Sequence, residues 1–309
     1  VPWPDTRPRD PDVAPDGTIW FVGQRGDYIA RLDPATGGFE RTDLPVGTGP
    51  HNLVVAADGR IWIAGNRSAE ILLHDPAGDG GFTSIPMPDP VARDPHTLVF
   101  GPGGEIWFTV QNGNFVGRLD PAATEPRPEL AAVPTPDARP YGIVVDSTGR
   151  PWFTEFAAGR IGTVDPATMT VREVELPRED VRPRRLVVTP RGHVWYVDFA
   201  GGILGRLDPR DGSVREWPAP AGTDARPYGM ALDRAGRIWF VETGPEPNRL
   251  VGFDPDRERF FSVTPIPGGG GSVRHMAYDP ATDAIWFGTD AGTIGRALLG
   301  TDGRRVDGR

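Results

Sequence analysis

Three of the chain's five histidines, His51, His96 and His275, each stand 11 residues before a tryptophan. The same offset from four further tryptophans gives Arg9, Tyr141, Arg184 and Tyr228. None of these seven is apolar, and in six of the seven cases a proline comes immediately before. A second series lies three residues after each tryptophan: Gly23, Gly65, Val110, Glu155, Asp198, Glu242 and Thr289. Imidazoles titrate near neutral pH, and carboxylates accept protons or hold cations. Gathered in one place, the two series would make a site for acid–base chemistry. Scattered, they would be ordinary strand caps and channel lining.

The tryptophans themselves supply the gathering. Trp20, Trp62, Trp107, Trp152, Trp195, Trp239 and Trp286 are separated by 42, 45, 45, 43, 44 and 47 residues. A period of that size, with Gly and an aromatic in every unit, marks a propeller or solenoid. The fourth unit shows the plan. Tyr141–Asp146 is a short apolar run that suits an inner strand, Trp152–Phe156 makes a second strand, and Arg160–Pro166 a third that ends on proline. Val171–Leu176 alternates apolar and polar residues, as a half-exposed outer strand should. The expectation is an all-β, seven-bladed β-propeller of four-stranded antiparallel blades forming one domain over residues 1–309. Residues 1–4 resemble the close of other outer strands, such as Glu216–Pro218, and are expected to complete the last blade. Residues 299–309 are a polar tail. Strand two runs antiparallel to strand one, so the first series should share a channel mouth with the second.

Composition narrows the function. The chain carries a net charge of −9, and all its basic residues are Arg. No basic run is present, which argues against a nucleic-acid partner. There is no cysteine, so thiolate catalysis and disulfides are excluded. No stretch approaches the roughly 20 apolar residues of a membrane span. A soluble, monomeric protein is expected, cytoplasmic or secreted after removal of a leader. His74 and His193 fall outside both series and are expected to be solvated. The run Pro265–Gly271, just before His275, reads first as an ordinary spacer and second as a lip over the mouth.

The segments Arg139-Pro140-Tyr141-Gly142 with Trp152-Phe153-Thr154-Glu155, and Arg226-Pro227-Tyr228-Gly229 with Trp239-Phe240-Val241-Glu242, carry a resemblance. With Arg160-Ile161-Gly162, they are similar to the repeat of the streptogramin lyases, also called virginiamycin B lyases. That resemblance covers essentially the whole chain. It implies a magnesium-dependent elimination that opens cyclic depsipeptide antibiotics, with a His as general base and carboxylates helping to hold the metal. The matching positions are His51, Asp94-Pro95-His96 and Tyr141. One departs: where the family carries a Glu after its Trp, this chain has Val110, followed by Gln111.

The resulting expectation is a lyase acting on a cyclic depsipeptide, lactone or related ester. His96 is the candidate base, with His51 and Tyr141 positioning substrate. Tyr228, Arg184, His275, Asp94 and Gln111 are candidate substrate contacts. Glu155, Glu242 and Asp198 are candidate ligands for Mg²⁺, or for Ca²⁺. Two alternatives stay open: a lactone hydrolase using the same mouth, and a non-catalytic propeller that binds a sugar, peptide or cell-wall fragment. A protein-interaction platform ranks last, because the connecting loops are rich in Asp, Arg, Pro and Gly rather than apolar residues.

Overall fold

The structure, a computed structural model, describes residues 1–78 and 80–300. It is a ring of seven antiparallel sheets, six of four strands and the last of three. Within each sheet the strands lie in sequence order, from the channel outward. Blade 4 runs through Pro140–Val145, Pro151–Glu155, Arg160–Asp165 and Thr170–Glu175. A single 3₁₀ turn at Gly222–Asp224 is the only helical element among the described residues. No helix there is long and apolar enough to cross a membrane.

Packing follows the repeat. Each second strand is buried along its whole length, as in Pro151–Glu155 and Val194–Asp198. Its tryptophan is buried against the next blade. Trp62 packs with Leu98 and Phe108 of blade 3, and Trp152 with Leu186 and Tyr196 of blade 5. Trp286 closes the circle against Ile19, Phe21 and Tyr28 of blade 1. The Asp-x-x-Gly turns position some of these rings, since Trp152 Nε1 donates to Asp146 at 3.0 Å and Trp239 Nε1 to Asp233 at 2.9 Å. The glycine of each Arg-Ile-Gly-like third strand has a steric role. A Cβ on Gly162 would fall 2.1 Å from the Phe153 ring, so only glycine lets that ring lie flat across the sheet.

The N-terminal segment reaches the last blade through Val1, whose amino group donates to Gly292 O at 2.6 Å, but it adds no strand there. Residues 1–4 form no strand, and the last blade stays three-stranded. Trp3 instead packs on Tyr28 and Phe39 of blade 1, at centroid distances of 5.1 and 6.2 Å. The last blade meets the first closely: a Cβ on Gly288 would lie 2.7 Å from Arg9 Cα and from Pro8 O. Of the expected polar tail, residues 301–309 lie outside the described residues.

One irregularity recurs in every blade. Each first strand slips register against its second strand near its start, in blade 1 between Arg9 and Asp12 and in the other six one residue earlier. In blade 4, Pro140 pairs with Glu155 and Ile143 with Phe153, so Tyr141 and Gly142 together oppose Thr154. This is a β-bulge, which breaks strict alternation and re-aims the side chains beside it. Two successive residues per blade are thereby set at the channel, in two layers.

Candidate functional site

The first layer comprises Arg9, His51, His96, Tyr141, Arg184, Tyr228 and Arg274. The offset of 11 finds six of these and misses the seventh. In blade 7 the partner of Trp286 is Ala277, nine residues before it, whereas Trp152 pairs with Val144, eight before. That extra hairpin residue places Arg274, not His275, at the position equivalent to Tyr141. His275 belongs to the second layer, with Asp10, Asn52, Thr97, Gly142, Arg185 and Gly229. The absence of Pro before His275 was the signal of this shift.

The mouth is packed rather than open. His51 and His96 pack together with ring centroids 3.5 Å apart and planes inclined by 35°, and His96 lies 4.3 Å from Tyr141. His51 Nδ1 is 2.9 Å from the His96 carbonyl oxygen, and so donates to it. His96 Nδ1 shares a hydrogen bond of 2.9 Å with Thr97 Oγ1, leaving Nε2 as its other proton site. The Tyr141 and Tyr228 hydroxyls bond to each other, and Arg274 Nη1 stands 3.5 Å from the Tyr228 oxygen. Exposure falls to 2% at His96 and at Tyr228. The mouth is therefore a tight imidazole–phenol ladder with a guanidinium, that of Arg274, at its tyrosine end.

Beneath it, Arg185 spans the channel. It donates to the Arg274 carbonyl at 3.0 Å, to Thr97 Oγ1 at 3.2 Å and to Asp10 at 3.3 Å. Asp10 also takes Arg9 Nε at 3.0 Å. On the far side of this plug a cavity of about 400 Å³ opens, with His275, Thr97 and Arg185 among its lining. Sequence reasoning did not find this second layer. Its signal was the polar residue directly after the first-layer position in Asp10, Asn52, Thr97 and Arg185, which strict strand alternation would have turned away.

Burial and charge set the protonation states. Burial, reinforced by Arg9 and Arg185, holds the His51 imidazole well below its usual value. His96 is lowered by burial, then by His51 and the same arginines. His275 falls to about 4, again through burial and Arg185. All three are neutral at pH 7. Burial pushes Tyr141 up to about 12, with Tyr228 adding to it. Burial would raise Tyr228 as well, but Arg184, Arg9 and Arg274 outweigh it and lower that phenol. Burial opposes ionisation of Asp10 too, yet Arg9 and Arg185 keep it ionised.

The second series does not join this group. Asp198 accepts from Arg178 at 2.6 Å and from the backbone N–H groups of Arg182, Ala200 and Gly201. Glu242 accepts from Arg249 at 2.7 Å and the Ala221 N–H at 2.8 Å. Glu155 is fully buried with neither oxygen hydrogen-bonded. Burial, then the charge of Glu173, pushes it up to about 8. Each acid pairs across from the residue that precedes the bulge, and its side chain serves its own blade. Asp94, beside His96, is likewise occupied, accepting from the Asn112 and Gly113 N–H groups at 2.7 and 3.1 Å. Val110 is buried in the apolar contact between blades 2 and 3, and Gln111 is half-buried in the loop after it. Magnesium or calcium needs several oxygen ligands with free lone pairs around one point. Among the described residues, no group of three His, Asp or Glu side chains is arranged to hold a metal ion. The residues present do not fit the expected ion.

One smaller expectation is corrected. His74 is buried at 4% exposure and stacks on Phe82 at 4.9 Å, because its strand end is covered by that ring. The glycine run is tied down: Asn248 N–H donates to Gly269 O at 2.9 Å and Ile266 N–H to Asn248 O at 2.7 Å.

Comparison with known proteins gives a consistent picture. The pattern of the virginiamycin B lyase family matches residues 1–250. A solved structure of streptogramin B lyase is 26% identical, covers 96% of this chain and 94% of its own, and superposes with a TM-score of 0.84. A catalytically inactive virginiamycin B lyase from Staphylococcus aureus, solved with quinupristin, is 23% identical over 96% of both chains, with a TM-score of 0.85. Hydrazine synthase from Kuenenia stuttgartiensis shares the fold at 17% identity, 98% coverage of both chains and a TM-score of 0.80. No curated protein sequence matches this chain.

Proposed function

This chain belongs to the virginiamycin B lyase family, and on that premise we propose that its channel mouth opens ester-linked cyclic peptides or related lactones by elimination. The observation that carries the proposal is the closely packed His51–His96 pair joined to the Tyr141–Tyr228 phenols. His96 is the base. It is neutral, so Nε2 can take the proton from the carbon next to the substrate carbonyl. The electron pair left behind forms the carbon–carbon double bond. The alkyl carbon–oxygen bond of the ester breaks, and the carboxylate departs. His51, held by its bond to the His96 carbonyl, fixes the base from behind. The Tyr228 hydroxyl and the guanidinium of Arg274 are placed to stabilise negative charge developing on the carbonyl oxygen. No step is assigned to a metal ion, since the carboxylates do not fit one.

Incubation with cyclic depsipeptides and lactones, read by mass spectrometry, tests this. Elimination gives an opened product of unchanged mass, whereas hydrolysis adds one water. His96→Ala should lower kcat by at least about 100-fold. Ring opening that persists at the wild-type rate in that variant would overturn the role of His96. The 2% exposure of His96 favours one other reading, a mouth that binds such a ligand without chemistry. Saturable binding with no product from any ester would establish that alternative.

A further inference from the structure

The first layer carries three guanidinium groups and no carboxylate. Two of the three are paired. Arg9 donates to Asp10 at 3.0 Å, and Arg274 to Asp290 at 2.5 Å. Arg184 differs: among the described residues it makes no ion pair and its side chain donates no hydrogen bond. Its Nε is buried without an acceptor. Four aromatic rings surround it instead, with the guanidinium carbon 3.8 Å from the Phe156 centroid, 4.8 Å from Tyr228, 4.9 Å from Phe199 and 5.1 Å from Tyr141. Aromatic faces attract the cation but accept none of its five in-plane N–H donors. At the rim, Arg182 is exposed, also without an ion pair, and its guanidinium stands 5.7 Å from the far partner ring, Phe156. A planar fork held by rings, half-buried and lacking an acid, is the geometry that takes a carboxylate bidentately.

We propose that Arg184, assisted by Arg182, is a carboxylate seat, and that the group beside the carboxylate packs on Phe156 and Phe199. The mouth therefore selects acids carrying an apolar or aromatic substituent. This deepens the elimination reading and rests on it for one point, that the seated carboxylate is the leaving group once the ester carbon–oxygen bond has broken. An arginine there would hold the departing charge while His96 holds the proton.

The test is binding of N-acetyl-phenylalanine against its primary amide, followed by calorimetry or NMR titration. Wild type should bind the acid at least about tenfold more tightly than the amide, with a preference that shrinks as salt is added. Arg184→Gln should erase the preference, and Arg184→Lys should keep part of it. Arg182→Gln, at an exposed position, should reduce it severalfold and decides the matter if Arg184→Gln does not fold. Equal binding of acid and amide, no binding of either, or an undiminished preference in folded Arg184→Gln would overturn the seat. These readouts require no turnover. Loss of acid preference with ring opening intact removes the seat alone. Acid preference with no ester opened removes the lyase reading alone.

Discussion

Glu155 shows how a side chain can be chosen correctly by position and wrongly by role. Its register places it at the end of a second strand, but it points into its own blade beside Glu173, desolvated and with neither oxygen hydrogen-bonded. Burial pushes its carboxyl up to about 8 in the fold, from the ordinary glutamate value of 4.5. The folded state thus holds a proton that the unfolded chain has lost. The resulting stability is complete below pH 4.5 and drains away as pH rises toward 8. Glu155→Gln mimics the protonated form at every pH. The variant should match wild type at pH 4.5 and exceed it above pH 8, by roughly 2–4 kcal/mol. Denaturant unfolding at the two pH values measures this; identical pH dependence in both proteins would refute the assignment. The neighbouring acids are paired, Asp198 with Arg178 and Glu242 with Arg249, whereas Glu155 lies beside another acid, Glu173.

At the scale of the strand, the bulge organises the site. It turns two residues per blade toward the channel, and where blades crowd together the second must be small. A Cβ on Gly142 would meet the Arg184 carbonyl at 2.6 Å and Arg185 Cα at 3.2 Å, both on the next blade. Gly142→Ala should therefore destabilise the fold by about 1–3 kcal/mol and push Arg184 outward. Chemical denaturation reads the first effect, and a weaker acid-over-amide preference reads the second. The bulge also explains what could be read in advance. Trp spacing disclosed the blades, and the fixed offset disclosed six first-layer residues. Asp10, Asn52, Thr97 and Arg185 were hidden because a period of two turns them away from the channel. Arg274 was hidden by one extra residue in a hairpin. The directions of Glu155, Asp198 and Glu242 depend on partners such as Arg178 and Arg249, whose proximity no spacing records.

For the ring as a whole, the seam between the last blade and the first is the point of greatest consequence. Gly288 lies there with no room for a methyl group against Pro8 and Arg9. Gly288→Ala should lower stability by roughly 1–3 kcal/mol, seen as a reduced midpoint of thermal or denaturant unfolding, and should displace Arg9 from the mouth. An unchanged midpoint would show that the seam is loose. The same circular logic applies to the tryptophans. Every blade leaves its indole to be covered by the successor, so a chain emerging from synthesis always trails one greasy, unsheltered flank. A piece stopping at residue 250 would leave Trp239 bare on one side and Ile19 and Phe21 bare on the other. Such intermediates would adhere to one another until Trp286 arrives and the circle shuts.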